Sequence, residues 1–184
     1  MDATPDNVPV NVPVNMPALI PTSVMIRPWV DPVVDQRGHD PRSAYVEHYW
    51  LSVIGPTATW IMRRLAEGFD AEPSGFTLDL EHTATSMGLS FERGANSPFG
   101  KALHRCVMFG LAHPLSDGFA VRRRLPTVPL RHLKRLPDDV QAAHAEWARR
   151  TIRMESRDIE RYLVAAGVPP QVAIRASEAA ALAA

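Results

Sequence analysis

The sequence predicts a mainly helical protein with a small β-hairpin and a long C-terminal helix. Three observations support this fold class. Apolar residues recur at helical spacing in several segments, most clearly over residues 97–110. A glycine turn at residues 116–118 separates two short segments with the pattern of strands. Residues 138–166 keep a helical pattern until Gly167 and two prolines end it.

The composition is that of a folded chain with balanced charge. Of the 184 residues, 46% are hydrophobic and 22% are charged, which is enough apolar material for a core. Twenty basic residues match twenty acidic ones, which excludes a uniformly basic, histone-like protein. Cys106 is the only cysteine, so an intramolecular disulfide and a multi-cysteine zinc site are excluded. With no signal peptide and no long apolar segment, we expect a cytoplasmic protein that does not enter a membrane.

Residues 1–42 are predicted to be a disordered, proline-rich tail. Eight prolines precede the first clear helix, and the first five, from Pro5 to Pro21, recur every four residues. Because proline fixes φ and lacks an N–H donor, this segment should be extended. Its valines and other apolar residues leave open a second interpretation, in which the tail docks on a groove or a partner. Residues 43–135 would then form the folded domain and residues 136–184 a helical extension.

The folded domain has a recognisable order of predicted elements. They are helices over residues 43–54 and 56–67, a strand over 76–80, helices over 81–88 and 97–110, and a hairpin over 111–125. From residue 56 onward this order resembles the winged helix-turn-helix domain. The linker over residues 90–96 departs from the pattern, because it is longer than the turn of a compact helix-turn-helix. The resemblance implies a DNA-binding transcriptional regulator of the bacterial type.

The balanced net charge conceals a basic centre. From His82 to Arg135 there are nine basic and two acidic residues, a net charge of plus seven, and the flanking segments carry the compensating minus seven. Positive charge gathered in the region that resembles a DNA-binding domain is what phosphate neutralisation requires. We therefore expect double-stranded DNA as the partner.

The resemblance also assigns positions to the basic residues. Helix 97–110 would lie in the major groove as the recognition helix, and the hairpin over residues 111–125 would contact the backbone as a basic wing. Because side chains alternate along a strand, Arg122 and Arg124 would share one face of the wing, and Arg123 would take the other. The candidate DNA-binding residues are Ser97, Lys101, His104, Arg105, Arg122, Arg123, Arg124, Arg131, Lys134 and Arg135.

The sequence predicts no catalysis, no cofactor and no metal site. His104 and Cys106 are about 200° apart on a helix, so this spacing cannot place both on one metal ion. Cys106 belongs to the apolar stripe and is expected to be an inert core thiol. The sequence also lacks the glycine-rich phosphate-binding motifs and the metalloprotease motif.

The long C-terminal helix has two interpretations. Packing against its own domain is the commoner explanation for a stripe of this kind on a helix. The stripe contains Val140, His144, Trp147, Thr151, Met154 and Tyr162. Because a winged-helix body is small, the helix could instead pair with its copy, and a homodimer would present two recognition helices.

The alternative to DNA binding is a winged helix that serves as a protein-interaction module. A small-molecule effector stays open, because one sequence does not reveal a pocket.

Overall fold

The computed structural model describes residues 22–92 and 94–183, which are mostly helical and include one four-stranded sheet. The strands are β1 (Ser23–Pro28), β2 (Phe76–Asp79), β3 (Ala112–Leu115) and β4 (Gly118–Val121). The helices are α1 (Pro32–Arg37), α2 (Leu51–Ile54), α3 (Pro56–Ala71), α4 (Leu80–Ser86), α5 (Pro98–Met108), α6 (Leu130–Leu133), α7 (Asp138–Ala165) and α8 (Pro170–Ala183). A π-helical segment, Val46–Trp50, leads into α2, and a short 3₁₀ turn, Gly94–Asn96, precedes α5.

The sheet has the strand order β2-β1-β4-β3. Strand β1 pairs antiparallel with β2 and parallel with β4, and β4 forms an antiparallel hairpin with β3. Strand β1 approaches β4 so closely that a Cβ on Gly118 would lie 1.8 Å from the Met25 carbonyl oxygen. A glycine is therefore required at the start of β4, in addition to its role in the hairpin turn.

The core lies where α3 and α5 pack against each other and against the sheet. Its fully buried side chains include Ile26, Trp50, Ile61, Met62, Leu65, Phe99, Cys106 and Val121. Trp50 satisfies its buried indole by donating from Nε1 to the Pro126 carbonyl at 2.7 Å. Burial of large apolar side chains, at about 2 kcal/mol each, supplies most of the stabilisation here.

The prediction of a disordered tail up to residue 42 is wrong for residues 22–42. These residues form β1 and α1, and β1 occupies an inner position in the sheet. Ile26 is fully buried, which gives the strand a strong apolar anchor. Pro28 fits because it ends the strand, and Pro32 fits because it lies in the first turn of α1. The rest of the predicted tail, residues 1–21, lies outside the described residues.

The hairpin predicted over residues 111–125 is present, but its second strand ends at Val121. The chain then pairs with a different segment. His39 donates its N–H to the Leu125 carbonyl at 2.7 Å, and the Leu125 N–H returns a bond to the His39 carbonyl at 2.8 Å. Arg122 and Arg124 therefore lie beyond the strand and do not share one of its faces, which corrects the prediction.

Helix α7 attaches to the domain through a cluster of aromatic rings near its N-terminal end. Trp147 packs on Tyr45 with ring centroids 4.5 Å apart, and His39 stacks on Tyr45 at 3.6 Å. The Tyr45 hydroxyl accepts from the Val128 N–H at 2.9 Å and lies 2.8 Å from His144 Nε2. The Tyr45 hydroxyl thus links His144 of α7 to the backbone at Val128.

The predicted stripe of the C-terminal helix is thus divided. Val140, His144 and Trp147 pack on their own domain, as the commoner interpretation expects. Met154 and Tyr162 are 66% and 74% exposed. Beyond the aromatic cluster, α7 packs chiefly against α8, with which it forms a helical hairpin.

Stability should fall on mild acidification because of this aromatic cluster. Burial lowers the pKa of His39 to about 4, with a further contribution from Arg124, and burial also lowers the pKa of His144. Below about pH 6.5 the unfolded chain takes up protons that the folded chain does not, so each histidine costs up to about 1.4 kcal/mol per pH unit. Urea titrations between pH 7 and pH 5 should show this decline.

Replacing His39 by Phe keeps a stacking ring and removes one titrating group. The variant should lose part of the pH dependence between pH 7 and pH 5. The same replacement at the exposed His82 should keep the wild-type dependence. A free energy of unfolding that stays constant in wild type over this range would contradict the prediction.

Candidate nucleic-acid interface

Helix α5, which the sequence predicts as the recognition helix, is capped at its N-terminus by the side chain of Ser97. The Ser97 hydroxyl accepts from the Gly100 N–H at 3.0 Å and donates to the Gly94 carbonyl at 2.6 Å. Pro98 follows in the first turn, where a missing N–H costs nothing. Ser97 is therefore the N-cap of α5. Ser97 is only 2% exposed, however, so its occupied hydroxyl is not placed to contact a phosphate.

The opposite face of α5 is open to solvent. Lys101, His104 and Arg105 are all exposed, as the helical spacing predicts, and Met108 extends the same face. Arg105 is partly held, because its Nη1 donates to the Ile54 carbonyl at 3.2 Å. This bond fixes the direction of the guanidinium without neutralising its charge.

The hairpin does not form the basic wing that the sequence predicts. Residues 112–121 contain neither Lys nor Arg. The charge in its turn is Asp117, which binds the Arg27 guanidinium of β1 through two hydrogen bonds of 2.7 and 2.8 Å. This bidentate ion pair attaches the turn to the inner strand and lowers the pKa of Asp117.

Arg122 is a structural residue. Its Nη1 lies 2.6 Å from Asp31 Oδ2, its Nε donates to the Gly110 carbonyl at 2.9 Å, and its guanidinium lies over the Trp29 ring. Asp31 in turn caps α1 by accepting from Val34 N, and its pKa is lowered chiefly by Arg122. The Arg122 side chain is 15% exposed. Its prediction as a DNA-contacting residue is therefore replaced by a role in joining α1, α5 and β4.

The next two arginines point to other parts of the domain. The Arg123 guanidinium donates to the Pro73 carbonyl and lies 5.6 Å from the centroid of Phe69. Arg124 is exposed. The pKa of Asp40 is lowered chiefly by the hydrogen bond from Arg42, with a smaller contribution from the charge of Arg124. The three consecutive arginines thus do not form one positive surface.

Helix α6 and the turn after it bring further positive charge close to α5. Leu133 is buried and anchors α6, while His132 packs on Phe109 with ring centroids 5.0 Å apart. Burial and the charges of Arg131 and Arg135 lower the pKa of His132. Because Phe109 follows Arg105 by four residues, α6 lies beside the exposed end of α5.

We call this surface the α5–α6 basic face. It consists of Lys101, Arg105, Arg131, Lys134 and Arg135, and all five are exposed. None of the ion pairs within residues 22–92 and 94–183 involves any of them. Their charge is therefore not compensated by carboxylates in the described part of the chain.

A groove on another side of α5 was not visible in the sequence. It has a volume of about 680 Å³ and lies between α5, the linker that precedes it, the β3–β4 hairpin and the beginning of β1. His104 and Val107 line it from α5, and Leu115 and Phe119 line it from the hairpin. The sequence feature that could have indicated this groove is the presence of apolar residues in segments whose other residues are typical of a linker and a turn.

The described residues contain neither a reactive cysteine nor a candidate metal site. Cys106 is fully buried, and burial raises the pKa of its thiol to about 12, so it is not a thiolate nucleophile. Among residues 22–92 and 94–183, no group of three His, Cys, Asp or Glu side chains could hold a metal ion.

Substitutions at Arg122 and Arg124 should separate structural from surface roles. Arg122→Ala leaves Asp31 Oδ2 and the Gly110 carbonyl without these hydrogen bonds, and should lower the free energy of unfolding by about 2 kcal/mol. The matched control, Arg124→Ala, should change it by less than about 0.5 kcal/mol. Urea unfolding measures both, and equal effects of the two substitutions would contradict the assignment.

No helix in the described part of the chain is both long and apolar enough to cross a membrane. Comparison with protein-family models, with curated proteins and with solved structures gave no significant match.

Proposed function

We propose that this protein binds double-stranded DNA through the α5–α6 basic face and acts as a transcriptional regulator. The observation that carries the proposal is the exposed, uncompensated charge of this face on and beside one amphipathic helix. Exposed cations that have no carboxylate partner are groups at which DNA phosphates can release counterions.

The order of the elements supports a winged-helix arrangement for this function. Elements α3, β2, α4, α5, β3 and β4 follow one another as the resemblance implies. In such an arrangement α5 enters the major groove, where Lys101 and Arg105 reach guanine edges or phosphates. The proposal differs from the sequence prediction in the source of the charge and in the residues included. Positive charge beside α5 comes from α6 and the turn after it, and not from the hairpin, and Ser97 and the three arginines at 122–124 are not part of the proposed interface.

Salt dependence tests the proposal. Each phosphate contact contributes about −0.9 to the slope of log K against log salt, so Lys134→Ala combined with Arg135→Ala should flatten the slope by about 2. Affinity for a generic duplex, measured by fluorescence anisotropy over a range of salt concentrations, gives this slope.

The matched control removes two exposed cations from α7. Arg149 and Arg150 both pair with Glu146, so Arg149→Ala with Arg150→Ala should leave the slope unchanged. Duplex binding that is absent, or that does not respond to salt, would overturn the proposal. A protein partner that is retained after nuclease treatment would then favour the interaction-module alternative.

A homodimer through the C-terminal helices is the second part of the proposal. The hairpin of α7 and α8 exposes several large apolar side chains, among them Ile152, Met154, Ile159, Tyr162 and Val172. Exposed apolar side chains grouped on one element are typical of an interaction surface. A two-fold dimer would present two copies of α5 to two DNA half-sites.

Sedimentation equilibrium tests the dimer. Tyr162→Glu places a charge where the pairing of two α7–α8 hairpins would bury it, and should weaken dimerisation at least tenfold, about 1.4 kcal/mol. The control Gln36→Glu adds a charge on the exposed surface of α1 and should leave the dimer intact. A monomer for the wild type at high concentration would contradict this part of the proposal.

A further inference from the structure

The groove beside α5 is apolar and large enough for several side chains. Its volume of about 680 Å³ lies within the range of binding pockets for drug-sized molecules. Its walls include Phe91, Leu103 and Val107 on one side and Leu115 and Phe119 on the other. An aromatic-lined groove of this kind suits an extended, proline-rich segment.

The few charged or titratable groups at the groove leave little attraction for a charged ligand. Asp117 lies at the rim, but its carboxylate is already paired with the Arg27 guanidinium. His104 lies at the border with the α5–α6 basic face. The occupant should therefore be mostly apolar and uncharged.

The chain enters the described structure at the edge of this groove. Ser23 and Val24 are themselves part of the groove wall. The Thr22 carbonyl accepts from the Leu80 N–H at 2.7 Å, and the Met25 N–H donates to the Asp117 carbonyl at 2.9 Å. These bonds fix the direction of β1, so the described chain begins beside the opening.

The composition of the preceding residues matches the groove. Residues 8–20 contain eight apolar residues, three prolines and two asparagines, with no charge. A proline has no N–H donor, so its burial leaves no donor unsatisfied. The fixed φ of the three prolines also reduces the conformational entropy that docking would remove.

We propose that apolar side chains from residues 8–20 of this chain occupy the groove between α5 and the β3–β4 hairpin. The covalent connection to β1 makes this docking intramolecular, with an effective concentration in the millimolar range for a short linker. A weak apolar contact is then enough to fill the groove. The docking does not depend on DNA binding, because none of the five cations of the α5–α6 basic face lines the groove.

Limited proteolysis of the full chain tests the docking. Thermolysin cleaves before apolar residues, and residues 8–20 offer several such sites. Leu115→Glu places a charge in the groove wall, and Val14→Asp places one in the docked segment. Each should increase the rate of cleavage within residues 8–20 by at least about tenfold, because cleavage follows the population of the undocked state. Mass spectrometry of the released peptides identifies the cleavage sites.

Val33→Asp is the control for Leu115→Glu and Val14→Asp. Val33 is 67% exposed on α1 and is not among the residues that line the groove, so its variant should be cleaved at the wild-type rate. Circular dichroism and thermal unfolding establish that each variant is folded. Val14→Asp keeps the test decisive if Leu115→Glu fails to fold, because it changes none of the described residues that form the core.

Three results would overturn the proposal. One is rapid cleavage within residues 8–20 in wild type at a rate equal to that of Val14→Asp. Another is protection that disappears on dilution, which would mean that the segment of a second copy fills the groove. The third is protection that depends on added DNA, which would assign the protection to the nucleic acid and not to the groove.

Discussion

The inner position of β1 is the constraint on which the rest of the domain depends. Strand β1 separates β2 from the β3–β4 hairpin, and so joins the part of the chain before α4 to the part after α5. Its pairing is made possible by Gly118, because a side chain there would collide with the Met25 carbonyl. Fully buried Ile26 anchors the strand in the core. The orientation of α5 relative to the hairpin, and thus the shape of the groove, follows from this strand.

Local signals predicted the longer helices, strand β2 and the β3–β4 hairpin, but not β1. Helix α7 begins at Asp138 and ends at Ala165, close to the predicted 138–166, because its boundaries depend on neighbouring Pro and Gly residues. Strand β1 was missed because its pairing is non-local: Ile26 pairs with Phe76 and with Phe119. Prolines on both sides of it suggested an extended tail, and only the tertiary structure determines whether an extended segment joins a sheet.

The same distinction applies to the candidate site. Helical periodicity placed Lys101 and Arg105 on one exposed face, and the structure has them there. Arg122 could not be assigned from the sequence, because its partner Asp31 lies 91 residues away. A run of three arginines indicates a high local density of positive charge, but it does not indicate towards which part of the domain each side chain points. The backbone bonds between His39 and Leu125 redirect the chain, and the arginines separate with it.

Helix α5 therefore serves two different environments. Its basic side, with Lys101 and Arg105, and its groove side, with Leu103 and Val107, are centred about 160° apart around the helix axis. His104 lies between them and is both exposed and part of the groove wall. An occupant of the groove would bury apolar surface against one side and leave the cations of the other in solvent. The proposed docking and the proposed phosphate binding therefore use different side chains of α5, and His104 lies at the boundary between the two sides.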